Sequence, residues 1–167
     1  MKFIKPDLVA DKLSGIDIDY WYDKGIRCIL TDLDNTIALW RHTVLTEEAS
    51  AFIAGAGAKG ISVVIFTNAR EERAREAAWN AGLGYYALAR KPFTFNYKKA
   101  MAQLGYDKSE VMAIGDQVFT DVLGGNLAGC TTVLTSPLSE IEFSGTKLMR
   151  FAEKIIAGRK LAYREGE

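Results

Sequence analysis

The chain has 167 residues, with 21 basic and 21 acidic side chains and a net formal charge of zero, a balance that excludes a global electrostatic pull toward nucleic acid or a membrane. The length points to one domain spanning residues 1–167, and 49% apolar residues supply a real core. No apolar run approaches the roughly 18 residues needed to span a bilayer, and the opening Met1-Lys2-Phe3-Ile4-Lys5-Pro6 lacks a signal-peptide core, which argues for the cytoplasm.

Tyr20, Trp21 and Tyr22 are expected to anchor the N-terminal segment on the core. Ile26-Arg27-Cys28-Ile29-Leu30-Thr31 then reads as a buried strand. It runs directly into Asp32-Leu33-Asp34-Asn35-Thr36. Side chains two apart on a strand point the same way, so Asp32 and Asp34 share one side and Leu33 faces the other. Two adjacent carboxylates repel unless a cation or a catalytic need offsets the cost. Taken alone, the same residues also suit a polar strand exit with an Asx turn at Asn35.

The loop that follows holds Trp40 and the only histidine, His42. Trp40 forms either a lip over a site or the packing of its own loop, and His42 reads as a surface residue. Thr46 to Lys59 is a helix, with Thr46 as N-cap and Glu47 and Glu48 in its first turn. Gly60 to Phe66 is a second buried strand, ending in Thr67-Asn68. Arg70 to Asn80 is a helix stopped at Gly82. Tyr85 to Ala89 is a short strand before Lys91-Pro92. Thr94 to Leu104 is a helix stopped at Gly105. Val111 to Ile114 is a strand ending in Gly115-Asp116, Phe119 to Ala128 is a helix that includes Asp121, and Thr131 to Thr135 is a strand stopped by Pro137.

Alternation of this kind gives a parallel sheet with helices on both faces. In such sheets sites form at the carboxyl ends of strands. Asp32/Asp34, Thr67, Lys91 and Asp116/Asp121 all fall just past such ends, so one crevice can gather them. Cys28 and Cys130 lie in or beside apolar runs and read as packed thiols, not a disulfide.

These residues, in this order, resemble the phosphatases of the haloacid dehalogenase superfamily. Asp32-Leu33-Asp34-Asn35-Thr36 matches the first motif, Thr67 the second, Lys91 the third, and Gly115-Asp116 with Asp121 the fourth. Lys91-Pro92 and Phe119-Thr120-Asp121-Val122-Leu123-Gly124-Gly125-Asn126 are similar to the small, capless YqeG-type branch of subfamily IIIA. Thr67-Asn68-Ala69 departs from the Ser-Asn-Asn common among relatives. The hydroxyl is kept and an amide at position 69 is lost.

The resemblance implies a Rossmann-like three-layer α/β/α sandwich without a cap domain. The intervals Thr36 to Thr67 and Thr67 to Lys91 each leave room for one helix and one strand only, so the site should be open. It implies an Mg2+-dependent phosphomonoester hydrolase working through an aspartyl-phosphate. Asp32 is the expected nucleophile and Asp34 the acid and base. Thr67, Asn68 and Lys91 are expected to hold the phosphoryl group. Asp32, the backbone carbonyl of Asp34 and Asp116 are the expected Mg2+ ligands, with Asp121 acting behind them or through water.

Some relatives in this branch act on phosphatidylglycerophosphate, a membrane lipid precursor. A phosphorylated protein or nucleic acid substrate, or a binding module in an assembly complex, are the alternatives. From Lys147 to Arg164 the chain carries Lys147, Arg150, Lys154, Arg159, Lys160 and Arg164 against Glu153 alone, with Leu148, Phe151, Ile155 and Ile156 at helical spacing. A basic amphipathic helix over about 146–164 fits an anionic membrane surface, an acidic partner, or packing on the sheet.

Overall fold

The backbone of the core is built on six parallel strands: β1 (Leu8–Ala10), β2 (Cys28–Thr31), β3 (Ser62–Phe66), β4 (Gly84–Tyr86), β5 (Val111–Gly115) and β6 (Thr131–Thr135). They lie in the order β1-β6-β5-β2-β3-β4. The computed structural model describes residues 2–139, so the basic segment from Lys147 to Arg164 lies outside the described residues.

The central strands are buried on both faces, which is why they read as unbroken apolar runs. Every residue of β2 and of β5 is buried. Alternate side chains feed two separate cores. Ile29, Ile65, Met112 and Ile114 pack with Phe52 and Ala56 of α2 (Glu47–Lys59) and with Ala77 and Ala78 of α3 (Glu71–Ala81). Cys28, Leu30, Val64 and Phe66 pack with Tyr97, Ala100 and Met101 of α4 (Thr94–Leu104) and with Ala128 of α5 (Leu123–Ala128). The three-layer sandwich expected from the sequence is the observed fold.

The expected helix signals act as read. The Thr46 side chain accepts a hydrogen bond from the Ala49 N–H, and α2 ends at Gly60 in a left-handed conformation, φ 97°. Cys28 and Cys130 are free, buried thiols, and burial pushes both up to about 12.

Four local features differ from the sequence reading. β1 and a short helix α1 (Ile18–Asp23) precede β2. Trp21 and Tyr22 pack on the core, but Tyr20 is half exposed and only edges against the Trp21 ring. The strand expected at Tyr85 to Ala89 ends at Tyr86, and Leu88 and Arg90 adopt left-handed conformations, φ 48° and 51°. The helix expected from Phe119 opens as a π-helical turn, Val118–Val122, before α5 begins.

The topology fixes where a site can form. The chain winds outward from β2 through β3 to β4, then crosses back to place β5 on the other side of β2. Connections diverge at that boundary and leave a crevice at the carboxyl ends of β2 and β5.

Candidate active site

Asp32 emerges from β2 in the crevice, its N–H donating to the Ile114 carbonyl at 2.8 Å, one step beyond the last β2–β5 pair. Leu33 turns into the α2-side core and is fully buried. Asp34 returns to the side of Asp32, as the two-residue period requires. Asn35 then takes a left-handed conformation, φ 58°, and reverses the chain, so both carboxylates stay at the strand end.

Lys91 reaches the same point from the loop after β4. Its Nζ lies 2.9 Å from Asp32 Oδ1 and 2.6 Å from Asp121 Oδ1. The side chain is 3% exposed, and its Nζ stands 6.0 Å from the Phe66 ring centroid. Burial opposes the ammonium, but Asp121 and Asp32 overcome it and hold Lys91 well above its ordinary value. Burial pushes Asp32 up to about 6; Lys91 opposes that shift, and the charges of Asp121 and Asp34 add to it.

Asp116 and Asp121 complete the floor. Oxygens of Asp32, Asp116 and Asp121 lie within 4.8 Å of one another, and all three residues are buried. Thr36 Oγ1 donates to Asp116 Oδ1 at 3.5 Å. The π-helical turn aims Asp121 inward, where its Oδ2 accepts from the Gln117 N–H at 3.1 Å. Gly115 makes this possible, because a Cβ there would overlap the Asp121 carboxyl group.

Thr67 follows β3, is buried, and accepts a hydrogen bond from the Ala69 N–H at 3.1 Å. The Asn68 amide spans the backbone of Lys91, accepting from its N–H at 2.8 Å and donating to its carbonyl at 3.3 Å. Its side chain therefore positions Lys91, a role the sequence reading did not foresee.

Asp34 departs from the carboxylate cluster. Both its oxygens are gripped by Arg73 of α3, at 2.5 and 2.6 Å, and Oδ1 also accepts from the Arg41 N–H at 2.8 Å. Arg73 is the residue that sequence reasoning missed. Its one available signal is its place in the first turn of the helix after Thr67. An open cleft of about 330 Å3 is lined by Asp32, Asp34, Trp40, Thr67, Arg73 and Lys91, among others. Trp40 thus does line the cleft, with the Arg41 guanidinium 5.2 Å from its ring. His42 is exposed and outside the lining.

The family description "haloacid dehalogenase-like hydrolase" matches residues 6–129. The chain belongs to that family. A Bacillus subtilis (strain 168) relative named "Probable phosphatase YqeG" is 30% identical over 155 residues, covering 93% of this hydrolase and 90% of the relative. The Arabidopsis thaliana "Phosphatidylglycerophosphate phosphatase 1, chloroplastic/mitochondrial" is 27% identical over 156 residues, 84% of this chain but only 43% of that protein.

Two solved structures share the fold. An uncharacterized protein from Listeria monocytogenes serotype 4b has a TM-score of 0.57 at 16% identity, covering 75% of this chain and 99% of its own. The cobalt-bound deoxy-D-mannose-octulosonate 8-phosphate phosphatase of Haemophilus influenzae has a TM-score of 0.52 at 17% identity, covering 67% and 69%. This hydrolase is a phosphatase of the family.

Family phosphatases use a divalent metal, and the donor set here fits one. Three buried carboxylates and one ammonium leave two negative charges in excess among these four groups. Hard oxygen donors at that charge suit a hard dication. Asp32, Asp116 and Asp121 offer side-chain oxygens, whereas the Asp34 carboxylate is held apart by Arg73.

Proposed function

We propose that the chain hydrolyses phosphomonoesters through an aspartyl-phosphate on Asp32 with Mg2+, as a single domain, and that its substrate is phosphatidylglycerophosphate. The observation that carries the chemistry is the Asp32 carboxylate lining the open cleft, paired with a Lys91 ammonium that Asp121 holds from its other side. The Arabidopsis relative's name supports the substrate.

An Asp32 oxygen attacks phosphorus, forming an acyl phosphate as the bond to the leaving oxygen breaks. That oxygen takes a proton from Asp34. Asp34 then removes a proton from water, which attacks phosphorus, breaks its bond to Asp32, releases inorganic phosphate and restores the carboxylate. Lys91 balances the charge of the phosphoryl oxygens, and Thr67 orients them. Asp32, Asp116, Asp121 and the Asp34 carbonyl would hold Mg2+, which when bound supplies charge neutralisation for nucleophile and phosphate together.

Phosphate release from phosphatidylglycerophosphate and from a soluble aryl phosphate tests the reading. Both should stop in excess chelator and resume with Mg2+. Labelled phosphate should appear on the wild-type chain and not on Asp32→Asn. Turnover that persists in chelator would remove the metal. Labelling that survives Asp32→Asn would remove the nucleophile. Hydrolysis of the aryl phosphate alone would remove the lipid.

A further inference from the structure

We propose that the mouth of the cleft is a lipid-docking face, where Leu88, Phe93 and Phe95, flanked by Arg70 and Arg90, seat the chain on an anionic phospholipid surface. This rests on the lipid-phosphomonoester reading above and adds the surface through which such a substrate is reached.

The loop that delivers Lys91 presents two opposite faces. It is clamped to the turn after β3: the Leu88 N–H donates to the Ala69 carbonyl and the Ala89 N–H to the Thr67 carbonyl, both at 2.9 Å. Ala89 and Lys91 point inward and are 1% and 7% exposed. Leu88, Phe93 and Phe95 are 52%, 73% and 74% exposed, and Arg90 is exposed as well. Single exposed apolar side chains need no explanation. Three within the eight residues that run from this loop into the first turn of α4 do.

The sequence gives up local stability to present them. Leu88 and Arg90 adopt left-handed conformations that non-glycine side chains rarely take. Phe93 occupies the N-cap of α4 with no side-chain hydrogen bond to the helix, where serine or aspartate would satisfy a backbone N–H. Local rules broken together beside a site point to function.

Charge selects the occupant. Arg70 and Arg90 are exposed on this loop pair, and Arg41 is exposed beside Asp34. Glu71, next in sequence to Arg70, accepts from the Tyr85 hydroxyl, and Glu72 is exposed. The chain also leaves its described part here. The Leu138 N–H donates to the Asn35 carbonyl at 3.1 Å, and Ser139 Oγ donates to Asn35 Oδ1 at 2.9 Å. The described chain thus ends beside Asn35 in the cleft lining, and the sequence that follows carries six basic residues against Glu153 between Lys147 and Arg164. Aromatic side chains rest at the headgroup level of a bilayer, and basic ones meet anionic headgroups. No helix among the described residues is long and apolar enough to cross a membrane.

Sedimentation of the full chain with vesicles, in the absence of substrate, tests this. The chain should bind phosphatidylglycerol-containing vesicles, ignore pure phosphatidylcholine, and release as salt rises. Phe93→Ser with Phe95→Ser should weaken binding about tenfold or more. Because serine is a better N-cap, the same variant should melt no lower than wild type and should still hydrolyse a soluble aryl phosphate. Arg90→Glu should also weaken binding.

Absence of vesicle binding at low salt, or binding indifferent to both variants, would overturn the proposal. Self-association abolished by the serine variant, without vesicle binding, would replace lipid by a protein partner and overturn it too. Vesicle binding without phosphatidylglycerophosphate hydrolysis would support the docking face and sink the substrate. Hydrolysis of micellar substrate without vesicle binding would sink the docking face alone.

Discussion

Arg73 grips Asp34 with both arms of its guanidinium, Nη1 at 2.5 Å and Nη2 at 2.6 Å from the two carboxylate oxygens. Such a fork fixes a carboxylate in one plane. Arg73 therefore sets the orientation of the Asp34 carboxylate, the group proposed as acid and base.

Arg73→Lys keeps a positive charge and loses the planar fork. Turnover of an aryl phosphate should fall about tenfold to a hundredfold, with KM changed far less, because the lesion is in orientation. Steady-state kinetics decide the point. A raised KM with kcat intact would show that Arg73 holds substrate, not Asp34.

Asp34→Asn removes the proposed proton donor while keeping shape. Leaving groups of high pKa need that proton most, so their rates should fall by about 100-fold or more, and good leaving groups by less. A series of aryl and alkyl phosphates measures the difference. Equal losses across the series would exclude Asp34 as the acid.

Asp32 carries a cost wherever no metal ion offsets its buried charge. Its folded-state value of about 6 lies above the ordinary 3.8, so the folded chain binds this proton more tightly than the unfolded one. The penalty is absent below about pH 4, grows as pH rises through 4 to 6, and is full above that. Two pKa units correspond to about 3 kcal/mol. In chelator at pH 8, Asp32→Asn should therefore be more stable than wild type by up to about 3 kcal/mol. The gain should fade toward pH 4 and shrink when Mg2+ is restored. Denaturant titrations of both proteins at two pH values check it. An asparagine variant less stable at pH 8 than at pH 4, relative to wild type, would show that the Lys91 contact outweighs the burial of charge.

The acidic set was legible because Asp32 and Asp116 close buried apolar runs, with Asp34 and Asp121 two and five residues farther on, and parallel topology brings such ends together. Asp32 and Asp34 could even be placed on one side from the two-residue period. Arg73 was hidden because Arg70-Glu71-Glu72-Arg73 reads as a solvated helix face until α3 docks beside the cleft. β1 and α1, three and six residues long, are too short for periodicity to declare them. Leu88 and Arg90 gave no warning of left-handed backbone, since neither is glycine or asparagine. The π-helical turn at Val118–Val122 is likewise set by the packing of Asp121 under Lys91, which only the assembled site supplies.

Gly115 ties the fold to the chemistry and makes the sharpest structural test. It closes β5, paired in register with Leu134 of β6, and its carbonyl accepts from Thr135 Oγ1 at 3.4 Å, so the backbone there has little room to move. A methyl group at Gly115 would occupy the place of the Asp121 carboxyl. In Gly115→Ala, Asp121 must swing off Lys91 and off the Gln117 N–H. That should cost about 1–3 kcal/mol of stability and lower turnover about tenfold or more, because Lys91 loses its 2.6 Å partner. Gly115→Ala combined with Asp121→Ala makes room for the methyl group, so the double variant should recover stability relative to Gly115→Ala while remaining impaired in turnover. Strong coupling between the two positions in that cycle is the expected result. Additive effects would show that the glycine serves β5 alone and does not make the space that Asp121 fills.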